Sequence, residues 1–247
     1  MLKTRVITAV VLLLVLFAVL AYGGDLGWGM FVLIVLTAGF WEWARFHPTL
    51  ARKPLAYAGV CTAVSVFIYW FAPISSYGAP LMALSGVFWV AFAPWCLRRV
   101  GIGALQGTAW FAIAGWALLS AAGIALILAQ QHGVVYLLSL VAICWVADIF
   151  AYIFGKTMGK RKLAPRISPG KSWEGAVGGT LSVVVLSWSV VWAAQHWPVL
   201  DQSWQVKALD HWHPLVFTLW LVVLSAFSIV GDLFESMLKR RANLKDS

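Results

Sequence analysis

The stretch VVYLLSLVAICWVADIFAYIF, residues 134–154, decides the fold class. It is predominantly apolar with a single charged residue, Asp148, and it matches the roughly 20 residues a helix needs to cross the hydrocarbon core of a bilayer. The rest of the chain has the same character. Of its 247 residues 62% are hydrophobic and only 11% charged, with a mean hydropathy of +0.86. A soluble domain carries about 25% charged residues, and a chain of this length could not hide so much apolar surface from water. The expectation is an all-α, polytopic integral membrane protein.

Reading outward on the same length gives eight spans, at about 6–22, 28–44, 55–72, 79–96, 104–129, 134–154, 174–196 and 214–236. The breaks fall at turn-forming stretches such as YGGDLG, HPTLARKP, APISSYGAP and QQHG. The span at 104–129 is long enough to be tilted or broken. Residues 1–103 read as an N-terminal set of about four spans. Residues 104–247 read as a C-terminal membrane region around a basic loop at 155–173.

Charge then orients the spans. Basic segments occur at Lys3 and Arg5, at Arg45, Arg52 and Lys53, at Arg98 and Arg99, at 156–171 and at 239–245. The intervening loops, around residues 25, 75, 131 and 205, hold one Lys and no Arg. The alternation places both termini and every basic loop in the cytoplasm. The first span reads as an uncleaved helix, because no small-x-small site stands near Tyr22. Trp28, Trp41, Trp43, Trp70, Trp95, Trp197 and Trp212 lie near span ends and suggest an interfacial belt. Cys61, Cys96 and Cys144 sit in apolar runs without CxxC spacing and read as small hydrophobes. The net charge of +9 suits anionic headgroups and an anionic substrate rather than nucleic acid.

The segment RISPGKSWEG, residues 166–175, contains the GKS that ends a nucleotide-binding P-loop. Such a loop needs a glycine five positions before Gly170, where this chain has Pro165, which has no N–H to offer. No strand is expected ahead of it either, so this is not a P-loop. It can still hold phosphate. Lys156, Lys160, Arg161, Lys162, Arg166 and Lys171 alternate with Ser168 and Ser172, and the loop leads into a helix N-terminus whose free N–H groups favour an anion.

Carboxylates are scarce, nine in the whole chain. Asp148 lies inside an apolar span, where a charge is expensive and usually partnered or functional; Tyr152 follows one turn later. Asp232, Glu235, Ser236 and Lys239 fall at i, i+3, i+4 and i+7, one helical stripe, and Glu174 opens a third span beside the basic loop. Carboxylates facing cations at one membrane surface suggest a metal–phosphate site, with Mg²⁺ or Mn²⁺ held by carboxylates together with substrate phosphates. Glu42 is expected to pair with Arg45 on its own helix. The His211/His213 pair is a weak metal signal and receives no role.

Two segments resemble the CDP-diacylglycerol synthases, or phosphatidate cytidylyltransferases. ADIFAYIFGKTMGKRKLAPRISPGKSWEGAVGG, residues 147–179, is similar to the D-x-x-A-Y…F-G-K…K-L-A-P…S-P-G-K-[ST]-W-E-G block of that family. GDLFESMLKRRANLKDS, residues 231–247, is similar to the start of its S-x-x-K-R-x-x-x-x-K-D signature. The close match covers about a fifth of the chain. The resemblance implies transfer of the cytidylyl group of CTP to phosphatidate in a membrane. It implies Asp148, Asp232 and Asp246 as metal-organising carboxylates and Lys171 as a catalytic cation. Lys156, Lys162, Lys239, Arg240 and Lys245 would be phosphate contacts, with Ser168, Ser172 and Ser236 positioning phosphates and Glu174 and Glu235 in support. The family signature continues into P-G-H-G-G…D-R and a final helix, whereas this sequence stops at Ser247. The expectation is therefore a C-terminally truncated chain lacking one more carboxylate, with its own activity in question. Ile149 and Phe150 also replace residues that are often small in the family. A CTP-dependent polyprenol or lipid kinase and a CDP-archaeol synthase are the rival enzymes, and a cation or lipid transporter the rival of another class. A homodimer is left open.

Overall fold

The computed structural model describes residues 2–244. Its helices are α1 (Leu2–Tyr22), α2 (Gly24–Arg45), α3 (Pro54–Phe71), α4 (Ile74–Val87), α5 (Ala93–Arg98), α6 (Ala109–Gln131), α7 (Val134–Met158), α8 (Trp173–Ala194), the short α9 (Trp204–Leu209) and α10 (Pro214–Arg241). Among the described residues seven helical stretches are long and apolar enough to cross a membrane, α4 and α5 forming one of them, and Val10–Tyr22 is a shorter apolar stretch within α1. Each of the eight expected spans coincides with a helix, because in lipid the backbone must satisfy its own hydrogen bonds.

Three details differ from expectation. The fourth span begins at Ile74, so Ser75 to Pro80 lie inside a helix rather than in a break. That span continues through a π-turn at Phe88–Phe92 into α5. Pro94 follows this turn; its ring would collide with the carbonyl one turn back in a regular helix, and the wider turn opens the ladder where that collision would occur. The fifth span starts only at Ala109, after a 3₁₀ turn at Gly103–Gly107. Finally, the basic loop is partly regular. α7 carries Gly155 and Lys156 as far as Met158, and β1 (Lys162–Ala164) then pairs antiparallel with β2 (Ser168–Ser172). A strand does precede GKS, but it belongs to a two-stranded hairpin, and the Pro165 argument against a P-loop stands.

The Trp residues divide. Trp70 and Trp197 are widely exposed, as a belt requires, but Trp28 and Trp43 are buried and donate to the carbonyls of Leu126 (3.3 Å) and Phe111 (3.0 Å). Each sits within a turn or so of a helix end yet faces the bundle, which position alone does not reveal. Cys61 and Cys96 are buried as expected, while Cys144 is exposed on the outside of the bundle.

The basic ends of the helices converge. Gln106 Nε2 donates to the Phe46 carbonyl at 2.7 Å, Arg241 Nε reaches the Val100 carbonyl at 3.4 Å, and Lys239 reaches Glu42 at 3.9 Å. The C-terminal ends of α2, α5 and α10 therefore share one face of the bundle. A core of Trp43, Phe46, Cys96, Phe111, Phe234 and Leu238 fills the space between them.

The α7–α8 pair sets the position of the loop between them. A Cβ on Gly175 would lie 2.6 Å from the Ala151 carbonyl and 3.1 Å from Gly155 Cα, and one on Gly179 would lie 2.6 Å from the Ala147 carbonyl. Small residues at four-residue spacing let the two backbones touch, which is how helices associate where lipid supplies no hydrophobic drive. Gly175→Ala is expected to destabilise by about 1–3 kcal/mol, lowering the thermal midpoint in detergent by several degrees. An unchanged midpoint would mean that the helices separate without cost.

Candidate active site

Three elements bring the scarce carboxylates and the cations together. α7 supplies Asp148. The hairpin and the first turn of α8 supply Lys171, Ser172 and Glu174. α10 supplies Ser228, Asp232, Glu235 and Lys239. Asp148 Oδ1 accepts a hydrogen bond from Ser228 Oγ at 3.3 Å. Ser228 lies one turn before Asp232 on the same face of α10, so this contact turns both carboxylates toward the same gap. Lys171 closes the gap by forming an ion pair with Asp232, with 24% and 46% of the two side chains exposed. Asp148 lies within electrostatic reach of both partners, so that Asp232 opposes its charge and Lys171 offsets it. Ser228 was not anticipated; the only signal was its position four residues ahead of Asp232.

The hairpin is held by contacts of Ser172, expected to position a phosphate, and of Glu174, expected in support. The Glu174 carboxylate accepts from the backbone N–H of Lys160 at 3.1 Å and of Arg161 at 3.1 and 3.2 Å, and Trp173 N–H donates to the Arg161 carbonyl at 2.9 Å. Ser172 Oγ caps α8 by accepting from Gly175 N–H at 3.1 Å, and Ser172 is buried. Both residues are committed to shaping the loop: Ser172 satisfies a free N–H at the start of α8, and Glu174 satisfies the N–H groups of the chain between α7 and β1. Glu174→Ala is expected to release the backbone at 160–161 and accelerate trypsin cleavage of the loop severalfold. Cleavage at the wild-type rate would show that the hairpin holds without it.

The loop cations are left available. Lys156, Lys160, Arg161, Lys162 and Arg166 are exposed and, among the described residues, none is in an ion pair; Lys156 lies over the Tyr152 ring at 5.8 Å. Tyr152 thus turns outward to Lys156. Ser168 is half-buried opposite Ala164 at the far end of the hairpin.

The stripe on α10 is real but shared. Asp232 turns to Lys171, whereas Lys239 is held by Glu235 at 2.8 Å and by Glu42 of α2 at 3.9 Å. Glu42 therefore reaches across to α10, and Arg45 lies over the Trp41 ring at 4.8 Å instead of pairing with it. Ser236 is half-buried and Arg240 exposed. Lys245 and Asp246 lie outside the described residues. A cavity of about 420 Å³ flanks α10, with Glu42 and Glu235 at its polar edge and Trp89, Leu118 and Phe234 among its apolar walls.

Among the described residues no three His, Cys, Asp or Glu side chains form a ready metal cluster. Asp148 and Asp232 nonetheless suit Mg²⁺ or Mn²⁺, since Mg²⁺ is commonly held by one or two carboxylates with phosphates and water completing its shell. The donor set fits a metal that arrives with a polyphosphate.

Comparison with known proteins points the same way. The chain matches the profile described as the cytidylyltransferase family over residues 3–247. It is 30% identical to a phosphatidate cytidylyltransferase of Haemophilus influenzae, with 100% of this chain and 89% of that protein covered. The corresponding protein of Pseudomonas aeruginosa is 34% identical, with 100% and 87% covered. One from Brucella abortus is 30% identical, with 100% and 83% covered. No solved structure matches.

Proposed function

The chain belongs to the cytidylyltransferase family, and from that premise we propose that it transfers the cytidylyl group of CTP to phosphatidate in the membrane. A phosphate oxygen of phosphatidate attacks the α-phosphorus of CTP. The bond from that phosphorus to the bridging oxygen breaks, and CDP-diacylglycerol and pyrophosphate form. A phosphate monoester has a second pKa near 6 and is already largely dianionic at neutral pH, so no general base is required. The protein must align two anions and offset their charge.

The arrangement of Asp148, Asp232 and Lys171 at the foot of a cationic hairpin carries this reading. Asp148 and Asp232 would hold Mg²⁺ or Mn²⁺, which when bound neutralises charge on the phosphoryl oxygens. Lys171 holds a phosphoryl oxygen at the reacting phosphorus, in exchange for part of its contact with Asp232. Lys156, Lys162 and the other exposed loop cations draw the triphosphate in. Ser172 and Glu174 keep the hairpin in register for this, and Ser168 positions a phosphate. Lys239, braced by Glu235 and Glu42, and the neighbouring Arg240 face the phosphate of the lipid, whose acyl chain the cavity beside α10 can receive. Ser236 positions that phosphate. Lys245 and Asp246 would complete the site from the segment after α10. The basic face lies in the cytoplasm of a bacterial inner membrane, where CTP is found.

The test is isotopic. The purified chain is given phosphatidate, Mg²⁺ and CTP labelled at the α- or the γ-phosphorus. Label reaching the lipid only from the α-position supports cytidylyl transfer. Label only from the γ-position identifies a lipid kinase, and no transfer from either removes the reading.

A further inference from the structure

A second cavity, of about 630 Å³, lies among α2, α3, α4 and α6, within the range of small-molecule sites, about 300–1,000 Å³. Its mouth holds Asp25, Gln130 and Gln131, and its floor reaches Leu36 and the group Ser65, Trp116 and Ser120. The floor is internally satisfied, with Trp116 Nε1 donating to Ser65 Oγ at 3.1 Å and Ser65 Oγ lying 3.4 Å from Ser120 Oγ. It needs no polar ligand. The mouth is polar and open, and Asp25 is exposed and makes no ion pair among the described residues.

Two features identify the occupant. The first is depth. At 1.5 Å per residue, α2 from Asp25 to Leu36 is about 16 Å long, close to one leaflet of a hydrocarbon core about 30 Å thick. The mouth is also at the opposite end of α2 from Glu42, which joins the catalytic face. The second is charge. The loops at this end contain one Lys and no Arg, and that Lys207 lies 3.9 Å from Asp210. An anionic headgroup finds no cation here, whereas an ammonium finds Asp25. We propose that this cavity binds one zwitterionic, amine-bearing phospholipid from the leaflet opposite the active site. Its acyl chain lies along α2 and its ammonium meets Asp25.

The site is separate from that of the substrate, so its test does not depend on cytidylyl transfer. The full chain is reconstituted in nanodiscs of equal parts phosphatidylethanolamine and phosphatidylglycerol, released, and weighed by native mass spectrometry. The wild type is expected to retain one phosphatidylethanolamine per chain, with a preference of about three- to fivefold, the size expected for one partly exposed charge pair. Asp25→Asn should abolish the preference. Gly29→Leu should abolish retention, because Gly29 lines the cavity with open space beside its Cα. Equal retention of both lipids, retention unchanged in both variants, or a dimer mass without lipid, as if a second copy covered the cavity, would each overturn the proposal.

Discussion

Asp148→Asn is expected to lower kcat for α-label transfer by about 10²–10³-fold, the range seen when one preorganised electrostatic contact is removed, with the thermal midpoint unchanged or higher. Asparagine has nearly the same shape, and its side-chain oxygen can still accept the hydrogen bond that Ser228 now makes to Oδ1 at 3.3 Å. The contact between α7 and α10 therefore survives. What disappears is a negative charge inside a membrane span, which is costly to keep there, and its repulsion of Asp232. A purely structural Asp148 would behave differently. If it served to lock α7 to α10 as an anion, the substitution would lower stability while leaving turnover in the surviving protein intact. Activity lost without stability lost assigns the charge to chemistry. Full activity with a lowered midpoint would assign it to packing and would leave the metal–phosphate reading without its first carboxylate.

Much of this molecule was legible because the bilayer leaves few alternatives. Long apolar runs had to become helices, and the alternation of basic and non-basic loops had to place their ends in register. The convergence of α2, α5 and α10 on one face agrees with that alternation. Asp148 and Asp232 could be singled out for the same reason, since a carboxylate in an apolar span is conspicuous. What stayed hidden was the choice among nearby partners. Glu42 had a cation three residues away on its own helix, and Arg45 was the natural choice. The fold instead brings Lys239 to Glu42 and gives Arg45 the face of Trp41. Ser172 was expected to position a phosphate and Glu174 to support the site. The local need to satisfy a helix start and a hairpin claims both. The hairpin itself is too short and too charged to announce a strand. Ser228 carries no signal except its place one turn from Asp232. In each case the sequence shows which groups are available, and only packing shows which neighbour takes them.

Lys171→Met should reduce kcat/KM for CTP by about 10²–10³-fold, again the magnitude of one preorganised contact to developing charge, with Lys171→Arg restoring part of the loss. Lys171 is the second-to-last residue of β2, directly before the Ser172 that ends the strand and caps α8, so its backbone is fixed from both sides. Its ammonium neutralises Asp232 and offsets Asp148, which would otherwise face each other across the gap. The ion pair contributes little to folding. With 24% and 46% of the side chains exposed, it falls among partly solvated pairs worth about 0–1 kcal/mol. A loss of two to three orders of magnitude in turnover cannot then be an indirect effect of unfolding. The Lys171→Met, Asp232→Asn double variant separates the remaining explanations. If Lys171 serves only to neutralise Asp232, removing both charges relieves the uncompensated carboxylate, and activity recovers. If Lys171 and Asp232 both act on the phosphates, the activity does not recover although the fold is intact. Its initial rate, read from α-labelled CTP at saturating phosphatidate, decides whether this ion pair is a strut or the resting form of a phosphate-binding site.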